Sequence, residues 1–157
     1  MARQAKRRLL LAGGTEQGAA IRAFVRDAVA DFGGSKRASE DLVQAVDEVT
    51  CNALLHGYNG KPGELELQAE IRDGRIEITV LDRAPVFDPT APPDGDATAR
   101  ARRPGTAGVG LHLARTMTDA VRHHVRPGGG NEVTLVRSID DRTDDRKHDR
   151  TEPAEEG

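Results

Sequence analysis

The sequence predicts an α+β protein: a two-layer α/β sandwich with a mixed, mostly antiparallel sheet and its helices on one face. Three observations favour this fold class. Two amphipathic helices follow a first short strand, two hairpin patterns supply the later strands, and a third short helix separates the hairpins. The chain of 157 residues is long enough for one domain with a sizeable core.

The composition excludes several classes of function. A net charge of -3 argues against a general nucleic-acid binder, which needs a basic face, and 3% aromatic residues without Trp provide no stacking platform for single strands. The one cysteine, Cys51, excludes an internal disulfide and fits a reducing compartment. No apolar run is long enough for a membrane span or a signal peptide, so we expect a cytoplasmic protein.

Glycine pairs and the pattern of apolar residues predict the first elements. Residues 7–12, RRLLLA, predict a strand that the glycines at 13–14 end. Thr15 is then predicted to cap a helix that runs to about Phe32, where the Gly33-Gly34 pair ends it.

The central helix is predicted from Asp41 to Tyr58, with Ser35 or Ser39 as its cap and Gly57 as its end. Apolar residues recur along it at the spacing of one helix face, which predicts that this face packs against a core. These residues are Leu42, Val46, Val49 and Ala53.

Polar side chains of chemical interest lie beside that apolar face. At about 100° per residue, Glu48 and Asn52 are about 40° apart and one turn from each other, whereas Asp47 points about 140° away from Asn52. A carboxylate and a carboxamide in this arrangement can share a hard cation or a water. The other interpretation is an ordinary surface glutamate on a polar helix edge.

The rest of the sheet is predicted as two hairpins. The first joins strands 64–72 and 75–82 through Asp73-Gly74, a strong turn signal between two segments of alternating apolar and polar residues. The second joins strands 120–126 and 132–139 through the turn PGGGN.

Two segments lack any periodic pattern. Residues 83–106 are rich in Pro, Gly, Asp, Ala and Arg, and a loop of this length in a compact domain is usually a lid or a disordered segment. We predict a lid, with a permanently disordered insert as the alternative. A Gly-Val-Gly sequence then begins a short helix at 111–118. Residues 140–157 have mixed charge and almost no apolar residue, so we predict a disordered tail.

Three of these features can serve one nucleotide. Asn52 can hold Mg²⁺, which keeps waters and bridges phosphates. Gly108 and Gly110 allow backbone amides to approach phosphate oxygens at a helix start. Asp82, at the end of its strand, can accept a hydrogen bond from the exocyclic amine of a base.

Other nucleotide and metal motifs do not fit. GVGLHL lacks the third glycine of a dinucleotide-binding fingerprint and follows a loop, and the usual protein-kinase motifs are absent. The histidines and the cysteine have no zinc-ligand spacing, and His123 and His124 are predicted to lie on opposite faces of their strand.

Four segments carry a family resemblance. AVDEVTCNALLHGY resembles the N-box of the GHKL ATPase superfamily, which includes histidine-kinase catalytic domains, type II topoisomerases and mismatch-repair ATPases. VLDRAPVFDPTAPP and AGVGLHLARTMTDAVRHHV are similar to the G1 and G2 segments of anti-sigma factor serine/threonine kinases of the RsbW/SpoIIAB type. NEVTLVRSI resembles their last strand. The resemblance extends to about Ile139 and implies the histidine-kinase-like ATPase fold.

The resemblance implies a role for each matching residue. Glu48 would be the catalytic general base, Asn52 would hold Mg²⁺, and Asp82 would bind the adenine amine. Thr134 would support Asp82 through its hydroxyl. The remaining ATP-binding residues implied are His56, Gly108, Val109, Gly110 and Leu111.

The sequence departs from the family pattern at two positions. The usual Asp-x-Gly is Asp82-Arg83-Ala84 here, which adds a methyl group to the pocket rim. Ala107 stands where the first residue of a Gly-Gly pair is usual.

The resemblance implies an ATP-dependent serine/threonine kinase that acts as an anti-sigma, partner-switching regulator. Such a protein binds a sigma factor or another target, phosphorylates a small antagonist protein on serine, and forms a homodimer, without direct contact to nucleic acid or a membrane. One alternative is a non-catalytic ATP-binding module that controls partner association. Another is the catalytic half of a two-component histidine kinase, which needs its phosphoacceptor His from another polypeptide.

Overall fold

The structure is a computed structural model and describes residues 6–87 and 114–140. In this part of the chain, five strands form one sheet in the order β1-β2-β3-β5-β4. Every strand pairing described is antiparallel, which confirms the predicted mostly antiparallel sheet. The elements are β1 (Lys6–Gly13), α1 (Gly18–Asp31), α2 (Lys36–Cys51), β2 (Gly63–Arg72), β3 (Arg75–Asp82), β4 (Ala120–Val125) and β5 (Asn131–Ser138).

The helices pack on one face of this sheet, as predicted. The apolar face of α2 continues into the turn that follows it, and all four of its predicted members are buried. Burying a leucine or valine side chain stabilises a fold by about 1.5–3 kcal/mol, and the smaller Ala53 contributes less. Opposite them lie inward-facing residues of the central strands, among them Leu67, Ile78, Val80, Val133 and Leu135.

The start of α1 differs from the prediction. The chain enters it through a 3₁₀ turn, Thr15–Gln17, in which no side chain caps the turn, so the prediction of Thr15 as the cap is wrong. The carboxylate of Glu16 instead accepts a hydrogen bond from the backbone N–H of Gly14 at 2.9 Å, and this bond lowers the pKa of Glu16.

The ends of α2 decide where the candidate site lies. Ser35 is the cap, because its hydroxyl oxygen accepts a hydrogen bond from the Ala38 N–H at 3.0 Å. At the other end, Asn52–Gly57 forms a π-helical turn, so the central helix is not α-helical to its end. Single π turns of this kind are frequent at functional sites.

The first hairpin turn has the backbone that its sequence predicts. Asp73 and Gly74 have φ angles of 51° and 73°, and two successive positive φ angles twist the turn to match the strands that it joins. The predicted lid, 83–106, is described only to residue 87. Of the predicted helix 111–118, residues 114–118 are described, and 114–117 are helical. The predicted tail lies outside the described residues beyond position 140.

Candidate nucleotide-binding site

A cavity of about 280 Å³ lies between the π turn, the end of β3 and the start of β5. This volume is just below the range of roughly 300–1,000 Å³ that small-molecule pockets occupy. Its walls are mainly apolar, with the side chains of Asn52, His56, Asp82 and Asn131 as the polar groups among its described lining. An apolar pocket with a few polar groups suits a flat, hydrogen-bonding ligand such as a nucleobase.

Asp82 places a carboxylate in this cavity. Asp82 is only 5% exposed, and its Oδ1 accepts hydrogen bonds from the Ala84 N–H and from Asn131 Nδ2, both at 2.9 Å. Among the described residues, all hydrogen bonds to this carboxylate go to Oδ1. Oδ2 therefore remains as an acceptor for a ligand amine.

Thr134 does not support Asp82. Side chains alternate along β5, and the inward-facing positions are those of Asn131, Val133 and Leu135. Thr134 lies on the outer face, where its hydroxyl is 3.2 Å from the Thr79 hydroxyl. The predicted contact between Thr134 and Asp82 is therefore wrong, and Asn131 makes that contact.

Asn131 was missed by the sequence prediction. The period-2 alternation of the strand was the available signal, because it places position 131 on the same face as the two apolar residues that follow it at 133 and 135. The motif resemblance drew attention to the threonine instead.

Asn52 lies on the helix side of the cavity. Its Nδ2 is the buried side-chain nitrogen that has no hydrogen-bond partner among the described residues. Leaving such a group unpaired costs about 1–3 kcal/mol, so a bound ligand would relieve that cost. The unpartnered nitrogen can only donate, so it suits a phosphate oxygen, whereas Mg²⁺ would take the amide oxygen of Asn52 and complete its shell with water and phosphate.

No group of three or more His, Cys, Asp or Glu side chains that could hold a metal ion occurs in residues 6–87 and 114–140. A metal bound there would therefore depend on oxygen ligands from the nucleotide and from water as well as on Asn52.

The adjacent acidic residues Asp47 and Glu48 of α2 face different surroundings. Asp47 Oδ1 is 3.2 Å from Arg22 Nη1, so Asp47 faces α1. Glu48 is half-buried one turn before Asn52 and is not part of the cavity lining. The structure thus directs Asp47 away from the cavity, as the helical arithmetic predicts. The catalytic role of Glu48 stays a prediction.

The other predicted site residues divide between described and undescribed parts of the chain. His56 is exposed and lines the cavity. The glycine-containing segment 108–111 and the substituted position Ala107 lie outside the described residues.

The additional methyl group of Ala84 is accommodated by a glycine. Ala84 is 3% exposed and lines the cavity beside Gly57. A Cβ atom on Gly57 would lie 2.6 Å from the Cβ of Ala84, which is closer than two carbon atoms pack. Gly57 therefore provides the space that Ala84 fills.

The rim of the cavity is held by hydrogen bonds from both sides. The Tyr58 hydroxyl accepts from the Arg83 N–H at 2.6 Å and donates to the Glu64 carbonyl at 2.8 Å. Arg83 Nη1 in turn donates to the Gly129 carbonyl at 2.7 Å. Burial raises the pKa of Tyr58, which keeps its hydroxyl protonated as this arrangement requires.

The surroundings of Cys51 indicate that its side chain has a packing role. It is half-buried, and burial raises the pKa of its thiol, with a further increase from the charges of Asp47 and Glu48. A raised pKa leaves little of the reactive thiolate at neutral pH.

Within the part of the chain that the structure describes, no helix has the length and apolar character needed to cross a membrane.

Comparisons with known proteins agree with the fold. Residues 12–137 match the model of the histidine kinase-like ATPase domain family. The chain is 32% identical over 114 residues to a protein named serine-protein kinase RsbW from Bacillus licheniformis, covering 68% of this chain and 69% of that one. It is 26% identical over 99 residues to a protein named anti-sigma F factor from Caldanaerobacter subterraneus subsp. tengcongensis, covering 63% of this chain and 69% of that one.

One solved structure has the same fold. It contains the RsbU and RsbW domains of a Mycobacterium tuberculosis protein and superposes with a TM-score of 0.61 at 22% identity. The match covers 86% of this chain but only 32% of that longer chain, so this chain spans about a third of its length.

Proposed function

Because this chain belongs to the histidine kinase-like ATPase domain family, as an RsbW-type member, we propose that it is an ATP-dependent protein serine/threonine kinase. In this proposal it acts as an anti-sigma, partner-switching regulator in the cytoplasm. It binds a sigma factor or another target, and it phosphorylates a small antagonist protein on serine. Relatives named serine-protein kinase RsbW and anti-sigma F factor support this assignment.

The observation that carries the proposal is one cavity lined by an acceptor and a donor from different elements. The buried carboxylate of Asp82 offers a hydrogen-bond acceptor from the end of β3, and the unpartnered amide nitrogen of Asn52 offers a donor from the π turn. An adenine amine satisfies the first group. Asn52 would hold Mg²⁺, which supplies positive charge to offset that of the phosphates.

Phosphoryl transfer also requires an oriented nucleophile. Glu48 lies one helical turn before Asn52, and in this proposal its carboxylate accepts the proton of the serine hydroxyl. The serine oxygen forms a bond to the γ-phosphorus, and the bond from that phosphorus to the oxygen of the departing ADP breaks. The predicted phosphate-binding turn, 108–111, completes the assignment.

The test compares two acidic residues that are adjacent in sequence. Glu48→Gln retains size and hydrogen bonding but cannot accept a proton, so transfer should slow by about 10²–10⁴-fold while ATP binding stays near that of the wild type. Asp47→Asn is the matched control. Because Asp47 contacts Arg22 in a half-exposed pair, we expect nearly wild-type transfer and little loss of stability.

Phosphoserine on the antagonist protein is measured by mass spectrometry after incubation with Mg-ATP. An inactive Asp47→Asn together with an active Glu48→Gln would contradict the assignment of Glu48.

The alternative is an ATP-binding module that transfers nothing. One observation favours it: Glu48 is not in the cavity lining, so a nucleotide can occupy the cavity without contacting that carboxylate. A wild-type protein that phosphorylates no partner, while ATP still changes its affinity for that partner, would establish this alternative.

The proposal also includes a homodimer, by analogy with the family. Light scattering that shows a monomer at high protein concentration would remove this part of the proposal.

A further inference from the structure

Asn131 connects the cavity to the edge of the sheet. It is 4% exposed, and every hydrogen-bonding capacity of its side-chain amide is used. Nδ2 donates to Asp82 Oδ1 at 2.9 Å and to the Pro85 carbonyl at 3.1 Å. Oδ1 is 2.9 Å from both the Phe87 N–H nitrogen and His123 Nε2.

These contacts fix which way the amide points. The backbone N–H of Phe87 can only donate, so the atom that it contacts is the amide oxygen. The same oxygen can only accept from His123, and therefore Nε2 of His123 carries a hydrogen. With the oxygen held by two donors, the amide nitrogen is directed towards Asp82.

The opposite orientation would place two acceptors against each other. If the amide were rotated by 180°, its oxygen would face Asp82 Oδ1, and its nitrogen would face the donors from Phe87 and His123. The carboxylate would then lose one of its two donors and face another acceptor. Only the bond from the Ala84 N–H to Oδ1 would still hold it in place for a ligand amine.

We propose that Asn131 is a specificity-determining positioning residue, and that His123, together with the Phe87 N–H and the Pro85 carbonyl, keeps its amide in the orientation that presents Asp82 to an adenine amine. This inference rests on the proposed ATP binding. His123 is not in the cavity lining, so it acts through Asn131 and not by contact with the nucleotide.

The experiment uses a matched pair of substitutions at His123. His123→Gln retains an N–H donor for Asn131. In His123→Glu, the glutamate has almost the same shape as that glutamine but offers only acceptors when ionised. Affinities for Mg-ATP and Mg-GTP are measured by calorimetry on the full chain. We expect His123→Gln to keep the wild-type ratio of the two affinities, and His123→Glu to reduce the preference for ATP by about 10-fold or more.

A second variant tests the same idea without relying on rotation of the amide. Asn131→Asp places an acceptor opposite Asp82 in either orientation, so the preference for ATP should fall at least as much. Thr134→Val is the control on the outer face of the same strand, and it should leave the ratio unchanged. Circular dichroism confirms that each variant is folded.

The outcomes separate this inference from the proposed function. A wild-type protein that binds no ATP would overturn the proposed function. A wild-type protein that prefers ATP, combined with an unchanged preference in His123→Glu and in folded Asn131→Asp, would overturn the inference alone. An equal loss of affinity for both nucleotides would also overturn it, because that result indicates a structural role without specificity.

Discussion

The contact between Gly57 and Ala84 predicts that substitutions at the two positions have non-additive effects on the free energy of unfolding. Gly57→Ala adds a Cβ atom 2.6 Å from the Ala84 Cβ atom, so the π turn or the rim segment must move. Overpacking of this kind costs about 1–3 kcal/mol. Because the φ angle of Gly57 is not positive, alanine is allowed by the backbone and the cost arises from the contact.

The reverse substitution at the other position has a separate cost. Ala84→Gly removes one buried methyl group, which is worth about 0.8 kcal/mol, and adds about 0.5–1 kcal/mol from glycine flexibility. The double variant moves the methyl group from one side of the contact to the other and removes the clash. It should therefore be about 1–2 kcal/mol more stable than the sum of the two single variants predicts.

Urea denaturation of the wild type and the three variants measures this coupling energy. Nucleotide affinity should follow the same order, because both residues line the cavity. Additive effects, with a coupling energy near zero, would refute the claim that Gly57 provides the space for Ala84.

Two further predictions concern residues next to the cavity. Tyr58→Phe removes the hydroxyl that bonds to the Arg83 N–H and the Glu64 carbonyl, so the free energy of unfolding should fall by about 1–2 kcal/mol; an unchanged thermal midpoint would contradict the bracing role. Cys51 in the folded protein should react with a thiol reagent at pH 7 more slowly than in urea, because burial raises its pKa. The pKa of Cys51 is higher in the folded protein than in the unfolded chain. The stability that depends on the protonated thiol is therefore present at neutral pH and is lost as the pH rises through the folded pKa. Equal rates in the folded and unfolded protein would contradict this account.

Local patterns were sufficient to predict most of the fold. The apolar periodicity of α2 identified its buried face, and the pair Asp73-Gly74 identified a hairpin turn with two positive φ angles. Ser35 was one of two candidate caps. These features depend on residues within a few positions of each other, where helical and strand geometry constrain the outcome.

The site depends more on contacts between distant parts of the chain. The bond between Asn131 and Asp82 joins residues 49 positions apart, and the close contact between Gly57 and Ala84 joins the end of a helix to the end of a strand. Strand alternation places Asn131 on the inner face, but no sequence pattern indicates that its partner is Asp82 or that Gly57 contacts Ala84. The error at Thr134 had a different origin, because strand alternation did contain the correct face and the motif match was preferred to it.

The central claim is that the cavity lined by Asp82 binds the adenine of ATP. Calorimetric titration of the wild type and of Asp82→Asn with Mg-ATP and Mg-GTP tests this claim most directly. The wild type should bind ATP more tightly by about 10–100-fold, because guanine presents a carbonyl where Asp82 requires a donor, and Asp82→Asn should lose most of that preference. Equal affinities for the two nucleotides in the wild type, or no binding of either, would contradict the account.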